Sequence, residues 1–190
     1  MRIFSKLFLI ALVAQPISAR AELYYLIVAG LGGDPTYVER FADDAAAMVN
    51  AAERTLGDAD RIKLLSGDQA TLEAIRSSFA DLSANTAAAD RLAVFLIGHG
   101  SYDGTQYKFN LTGADIDGAE LADLLATVPA QSQLIVNMTS ASGSILESWA
   151  GDGRAVITAT RSGSERNATR FAQYWATALS AEDADLNKNG

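Results

Sequence analysis

One histidine and no cysteine occur in 190 residues, so the chemistry open to this chain is narrow. The histidine, His99, stands in Gly98-His99-Gly100-Ser101, directly after an apolar run. An imidazole in a glycine-flanked turn is exposed enough to take up and return a proton near neutral pH. Further along comes Met138-Thr139-Ser140-Ala141-Ser142-Gly143-Ser144, again directly after an apolar run. A serine hydroxyl attacks a carbonyl carbon only when a base accepts its proton through a direct hydrogen bond. With His99 as base and Ser140 as nucleophile, the chemistry would be acyl transfer on a peptide or ester. Two plainer roles stand beside this one. Backbone hydrogen bonds can fix a histidine in a tight turn, and Ser140, Thr139 or Ser142 can cap a helix around 145–149. The elbow G-x-S-x-G is not present, because Met138 fills the place of its first glycine.

Residues 91–97 (RLAVFLI), 133–137 (QLIVN) and 154–159 (RAVITA) are short, apolar and rich in β-branched side chains. Residues 118–127, between the first two runs, carry Leu121, Leu124 and Leu125 at helical spacing. Apolar runs alternating with helices predict parallel strands joined by crossovers. Parallel strands end on the same side, so His99 and Ser140 should meet beyond the carboxyl ends of neighbouring strands, where open α/β sheets place their sites.

Upstream, residues 23–29 (LYYLIVA) predict a first strand. A turn follows, Gly30-Leu31-Gly32-Gly33-Asp34-Pro35, and then a helix over 36–55 that buries Phe41, Ala45, Met48, Val49 and Ala52. Asp34 is placed to cap that helix, and Pro35 suits its first position. The glycine-rich turn lacks the G-x-G-x-x-G spacing and a Walker lysine, so it reads as a turn rather than a phosphate cradle. A short strand at 62–65, a helix over 71–82, a polar loop at 83–89 and a helix over 171–179 complete one domain, 22–180.

Composition excludes several classes. The net charge of −8 argues against nucleic acid or an anionic membrane as partner. One histidine and no cysteine leave too few ligands for a zinc site, and no metal or other cofactor is expected. Residues 1–21 look like a secretory signal, with Arg2 and Lys6, a short apolar core at 7–14 and Ala19-Arg20-Ala21 for cleavage. The apolar run is shorter than the roughly 20 residues that span a bilayer. The expected location is therefore the periplasm or outside the cell, with no membrane contact after cleavage. The polar tail, 181–190, ends in Asp185-Leu186-Asn187-Lys188-Asn189-Gly190, which matches the first half of an EF-hand loop. Such a loop needs about 12 residues and a closing Glu, so calcium is implied only if the chain continues beyond Gly190.

In order and position these motifs resemble the caspase-fold cysteine peptidases, and the legumain-type family most closely. The matching stretches are Ala42-Asp43-Asp44-Ala45 on the first helix, Asp90 through His99-Gly100-Ser101, Thr139 to Ser144, and Ala159-Thr160 after the next strand. The resemblance covers about 23–179. It implies an α/β fold, a three-layer sandwich of caspase type with a mainly parallel sheet. It also implies peptide-bond hydrolysis, with His99 as base and the N–H groups of Gly100 and Ser140 holding the oxyanion. Ser140 stands where the family has its nucleophilic cysteine. Met138 stands where a Glu or Gln lines the pocket for the side chain before the cleaved bond, so a preference for Asn or Asp does not carry over. Arg40 lies near the family's pocket arginine.

The cysteine-to-serine difference decides how far the activity carries over. A thiol ionises at about pH 8.5 and yields thiolate beside a histidine, whereas a hydroxyl needs its base in contact. Two functions follow. The chain is an active peptidase homologue, or an inactive one that binds peptides or a partner protein through the same cleft. A purely structural exported domain is the third reading. Arg161, with Arg166 and Arg170, falls in the polar loop after the third strand, where it could bind a peptide carboxylate or pair with acidic neighbours. Asp103 and Asp90 could orient His99. Otherwise Asp103 belongs to the Tyr102-Asp103-Gly104 turn and Asp90 starts the strand.

Overall fold

The apolar runs lie side by side in a parallel sheet. In this computed structural model residues 21–56 and 59–180 are described. Residues 1–20 of the expected leader, Gly57 and the 181–190 tail lie outside them. In chain order the elements are β1 (Leu23–Ala29), α1 (Pro35–Leu56), β2 (Ile62–Ser66), α2 (Leu72–Asn85), β3 (Arg91–Ile97), β4 (Gly100–Tyr102), β5 (Tyr107–Phe109), β6 (Ile116–Asp117), α3 (Gly118–Thr127), β7 (Ser132–Asn137), α4 (Leu146–Trp149), β8 (Arg154–Thr158) and α5 (Phe171–Ser180).

The main sheet has five strands in the order β2-β1-β3-β7-β8, and every pairing in it is parallel. The order reverses direction at β1. Right-handed crossovers must then lie on one face for β1 to β2 and on the other for the later connections. The packing obeys this. Leu92, Val94 and Leu96 of β3 pack with Ile75 and Phe79 of α2, Leu121 and Leu125 of α3, and Trp149 of α4. Ala93, Phe95 and Ile97, alternating with them, pack with Phe41, Ala45 and Met48 of α1 and Ala172 and Ala176 of α5. Strand β3 is buried on both faces, which is why its sequence is apolar without alternation. The expected α/β three-layer sandwich is the observed fold.

Helix boundaries follow local chemistry. Asp34 Oδ1 accepts the Thr36 N–H at 2.9 Å, and Pro35 opens α1. Thr71 caps α2 by accepting from Ala74 N–H at 3.1 Å. Asp117 caps α3 through Glu120 N–H at 2.8 Å. Helix α2 runs on to Asn85, into the stretch expected to be loop. A second, three-stranded antiparallel sheet, β4-β5-β6, fills the space between β3 and α3. It was not expected from the sequence. Its strands are only two or three residues long, too short to leave a periodic signal.

The register sets where the site lies. Ala29 pairs with Ile97, Leu96 with Asn137 and Asn137 with Thr158. All four strands therefore end level, and the loops that follow them share one rim. Asp90 lies at the opposite rim, where its carboxylate accepts Glu22 N–H at 2.9 Å and Ala87 N–H at 2.7 Å. These bonds hold its pKa below the ordinary carboxylate value. Asp90 thus ties β3 to the start of β1 and is too remote to orient His99. The expected outcome of Asp90→Asn is a loss of about 1 kcal/mol in urea unfolding with the His99 titration unchanged. In the unchanged protein this contribution is full above about pH 4 and is lost as pH falls through the lower folded midpoint. An Asp90→Asn variant as stable as its parent at pH 7 would show that the two bonds contribute nothing.

Candidate functional site

His99 follows β3 through Gly98, whose φ of +148° is open only to glycine. The imidazole packs edge-on against two rings of α1, with centroids 4.7 Å from Tyr37 and 5.1 Å from Phe41. Burial against the rings lowers the His99 pKa, the Gly32 backbone in the turn after β1 pulls the other way, and the nearby Arg40 charge lowers it again. The net direction is down, so the ring is neutral at pH 7 and able to accept a proton.

Arg40 sits over the same rings, its guanidinium carbon 4.9 Å from the Tyr37 centroid and 5.2 Å from that of Phe41. It donates to Thr169 C=O at 3.1 Å, linking α1 to the loop before α5. It is thus built into the wall behind His99.

Ser140 follows β7. The neighbouring side chains on β7's other face form a closed network. The Tyr107 hydroxyl lies 2.6 Å from Thr139 Oγ1, Asn137 Nδ2 donates to the Tyr107 oxygen at 3.0 Å, and Thr139 Oγ1 lies 2.8 Å from Asn137 Oδ1. Burial pushes Tyr107 up to about 12, so it stays a neutral hydroxyl. The next residue, Ala141, has φ +56°, a left-handed conformation that costs a non-glycine residue about 1–2 kcal/mol. The strain turns the chain sharply at Ser140. Ala141 N–H donates to Glu165 C=O at 2.8 Å, and Gly143 N–H donates to Thr160 Oγ1 at 2.9 Å. These bonds pin the Ser140 loop to the loop after β8.

Gly100 closes the two loops on each other. A Cβ there would lie 2.5 Å from the Ser140 carbonyl oxygen and 2.6 Å from Thr139 Oγ1. Its own N–H is left over from the small sheet. The Asn110 N–H to His99 C=O bond and the Asp103 N–H to Gln106 C=O bond set the antiparallel alternation. Gly100, opposite Phe109, is then a non-hydrogen-bonded position whose N–H points away from β5.

His99, Gly100 and Ser140 line one cavity of about 680 Å³, together with Tyr102, Lys108 and Arg166. The base and hydroxyl singled out from the sequence therefore border one pocket, but no hydrogen bond joins them. Ser140 is 1% exposed, and its Oγ is sealed from solvent with no hydrogen-bond partner. Asp103 also borders the cavity, yet its carboxylate accepts from Thr105 and Gln106 in its own turn and is held at about 2 by them. It leaves His99 unoriented. Met138, expected in the substrate pocket, is instead 1% exposed and packed in the core with Val136 and Phe95. Arg161, also expected to meet substrate, is exposed and absent from the cavity wall, while Arg166 is part of it. Tyr107 had not been singled out; only its place in a short buried strand reveals it.

Two outcomes test this geometry. His99 is the only histidine, so its ring protons titrate without overlap in NMR. The midpoint should fall below 6.5, the ordinary value, and Tyr37→Ala should raise it by exposing the ring. Folding stability should likewise decline as pH drops from about 6.5 through that midpoint. A midpoint at or above 6.5 would contradict the packing. Gly100→Ala should cost about 1–3 kcal/mol in denaturant unfolding, because the added methyl overlaps the Ser140 carbonyl. An unchanged unfolding midpoint would mean that the two loops do not meet.

No family model and no curated protein matches the chain. Among solved structures it is similar to protein GSU0716 from Geobacter sulfurreducens, at 18% identity and a TM-score of 0.51. The match covers 68% of this chain and 54% of that one, so the chain corresponds to about half the length of that protein. At this identity the similarity shows the fold alone.

Proposed function

We propose that this chain is a legumain- or caspase-type peptidase homologue whose His99–Ser140 cleft binds a peptide segment without efficient cleavage. One observation carries the reading: Ser140 borders the His99 cavity, yet its Oγ is sealed from solvent and hydrogen-bonded to nothing. A hydroxyl that no base touches is not activated. The surfaces a peptide would meet are in place nonetheless. Gly100 N–H faces away from its sheet, the imidazole is partly exposed, and Arg166 supplies charge at the cavity edge. The apolar leader would deliver this domain to the periplasm or the medium.

A second reading, slow serine-based hydrolysis, has its own support. The strained Ala141 turn, the neutral His99 and the free Gly100 N–H are what an acyl-transfer site requires. A movement that brought the Ser140 hydroxyl to His99 would complete it. The discriminating variant is Ser140→Cys, assayed on a fluorogenic peptide library beside the unchanged protein. A thiolate tolerates a looser pairing with its base. The expected result is peptide hydrolysis at least about 100-fold above that of the unchanged protein. Comparable turnover in both proteins, with covalent labelling of Ser140 by a serine-directed phosphonate, would overturn binding in favour of hydrolysis. Failure of the unchanged protein to bind any library peptide would sink both readings.

A further inference from the structure

Beyond β8 the chain runs from Thr160 to Arg170 before α5 begins. In a chain of net charge −8 this loop carries Arg161, Arg166 and Arg170 against one acidic residue, Glu165. The structure separates them. Arg161 N–H donates to Glu165 Oε1 at 3.1 Å, so the one carboxylate is turned back onto its own loop. Arg166 borders the His99–Ser140 cavity and also a second cavity of about 670 Å³, whose wall includes Glu165, Asn167, Arg170 and Tyr174. Arg166 and Arg170 have no ion-pair partner among the described residues. Arg166 is common to both cavities, and an exposed tyrosine lines the second (Tyr174, 66% exposed).

We infer that the second cavity, at Arg166 and Arg170, reads acidic side chains in the segment that flanks the peptide position held at Ser140. The inference rests on the peptide-binding reading of the cleft. Guanidinium groups pair with carboxylates through two parallel hydrogen bonds and stay charged at any working pH. An extended peptide turns alternate side chains to one side, so acidic residues at alternating positions present their carboxylates to one wall. Arg40 does not supply this recognition, because it is committed to Thr169 C=O and the two rings of α1. The acidic residue is therefore read beside the reacting position, not at it.

The test uses two fluorescently labelled decapeptides of alanine and glycine, one with Glu at alternating positions and the other with Gln in their place. Fluorescence anisotropy on the full chain at low salt should show the Glu peptide binding about tenfold more tightly or better. The double variant Arg166→Gln/Arg170→Gln should abolish that difference between the two peptides. Arg91→Gln, which removes the same kind of charge at the opposite rim, should preserve it. Equal affinity of the unchanged protein for both peptides would overturn the acidic preference and leave the peptide cleft standing. Failure of both peptides to bind would overturn the cleft as well. An oligothymidylate of equal charge that binds as tightly as the Glu peptide would reduce the preference to general attraction for anions.

Discussion

The site depends on one close approach, that of the Gly100 backbone to the Ser140 carbonyl. No side chain larger than hydrogen fits there, so the chain leaving β3 and the chain leaving β7 lie backbone to backbone. That contact places His99 and Ser140 on one cavity wall. It is possible only because the parallel register ends β3 and β7 level, with Leu96 opposite Asn137. Sheet register and a missing Cβ therefore do together what a direct side-chain bond does in many active sites.

Behind that contact the polar groups are satisfied to an unusual degree for a loop. Tyr107, Asn137 and Thr139 are all nearly or fully buried, and each has partners within the same trio. Burying three such groups unpaired would cost several kcal/mol, so the network holds the Ser140 loop in one shape. The unpaired hydroxyl of Ser140 stands out against it. The surroundings are over-determined, yet the Ser140 hydroxyl has no bond of its own.

The fold was legible where burial imposed a pattern. Strand β3 had to be apolar from Leu92 onward because both faces are covered, and α1 begins at Pro35, where Asp34 and Pro35 suit a helix start. Strands β4 to β6 were not legible, because two or three residues carry no period. Met138 could have been placed correctly by simple alternation. Leu134, Val136 and Met138 lie two residues apart, and the first two pack on the face of α1 and α5. The third follows them inward, while Asn137 and Thr139 turn to Tyr107. The choice between Arg161 and Arg166 lay beyond any such rule, because the loop after β8 is irregular and carries no period that assigns its side chains to a face.

On the proposed peptidase reading, Ser140 gains its meaning from this geometry more than from its identity. An exposed thiol ionises at about pH 8.5, so a nearby histidine can populate its thiolate without a direct hydrogen bond. A hydroxyl acting as nucleophile has no such latitude; its proton would have to pass to a base along a hydrogen bond. The aromatic packing that keeps His99 neutral also fixes the ring against Tyr37 and Phe41, so it cannot swing freely to meet Ser140. The Tyr107 network fixes the other side. With both loops held, the lack of a hydrogen bond between imidazole and hydroxyl is a property of the scaffold. On the proposed reading, peptide contacts at Gly100, His99 and Arg166 would not depend on forming that bond. Binding and cleavage would then be separable, and the packing that stabilises the cleft would work against cleavage.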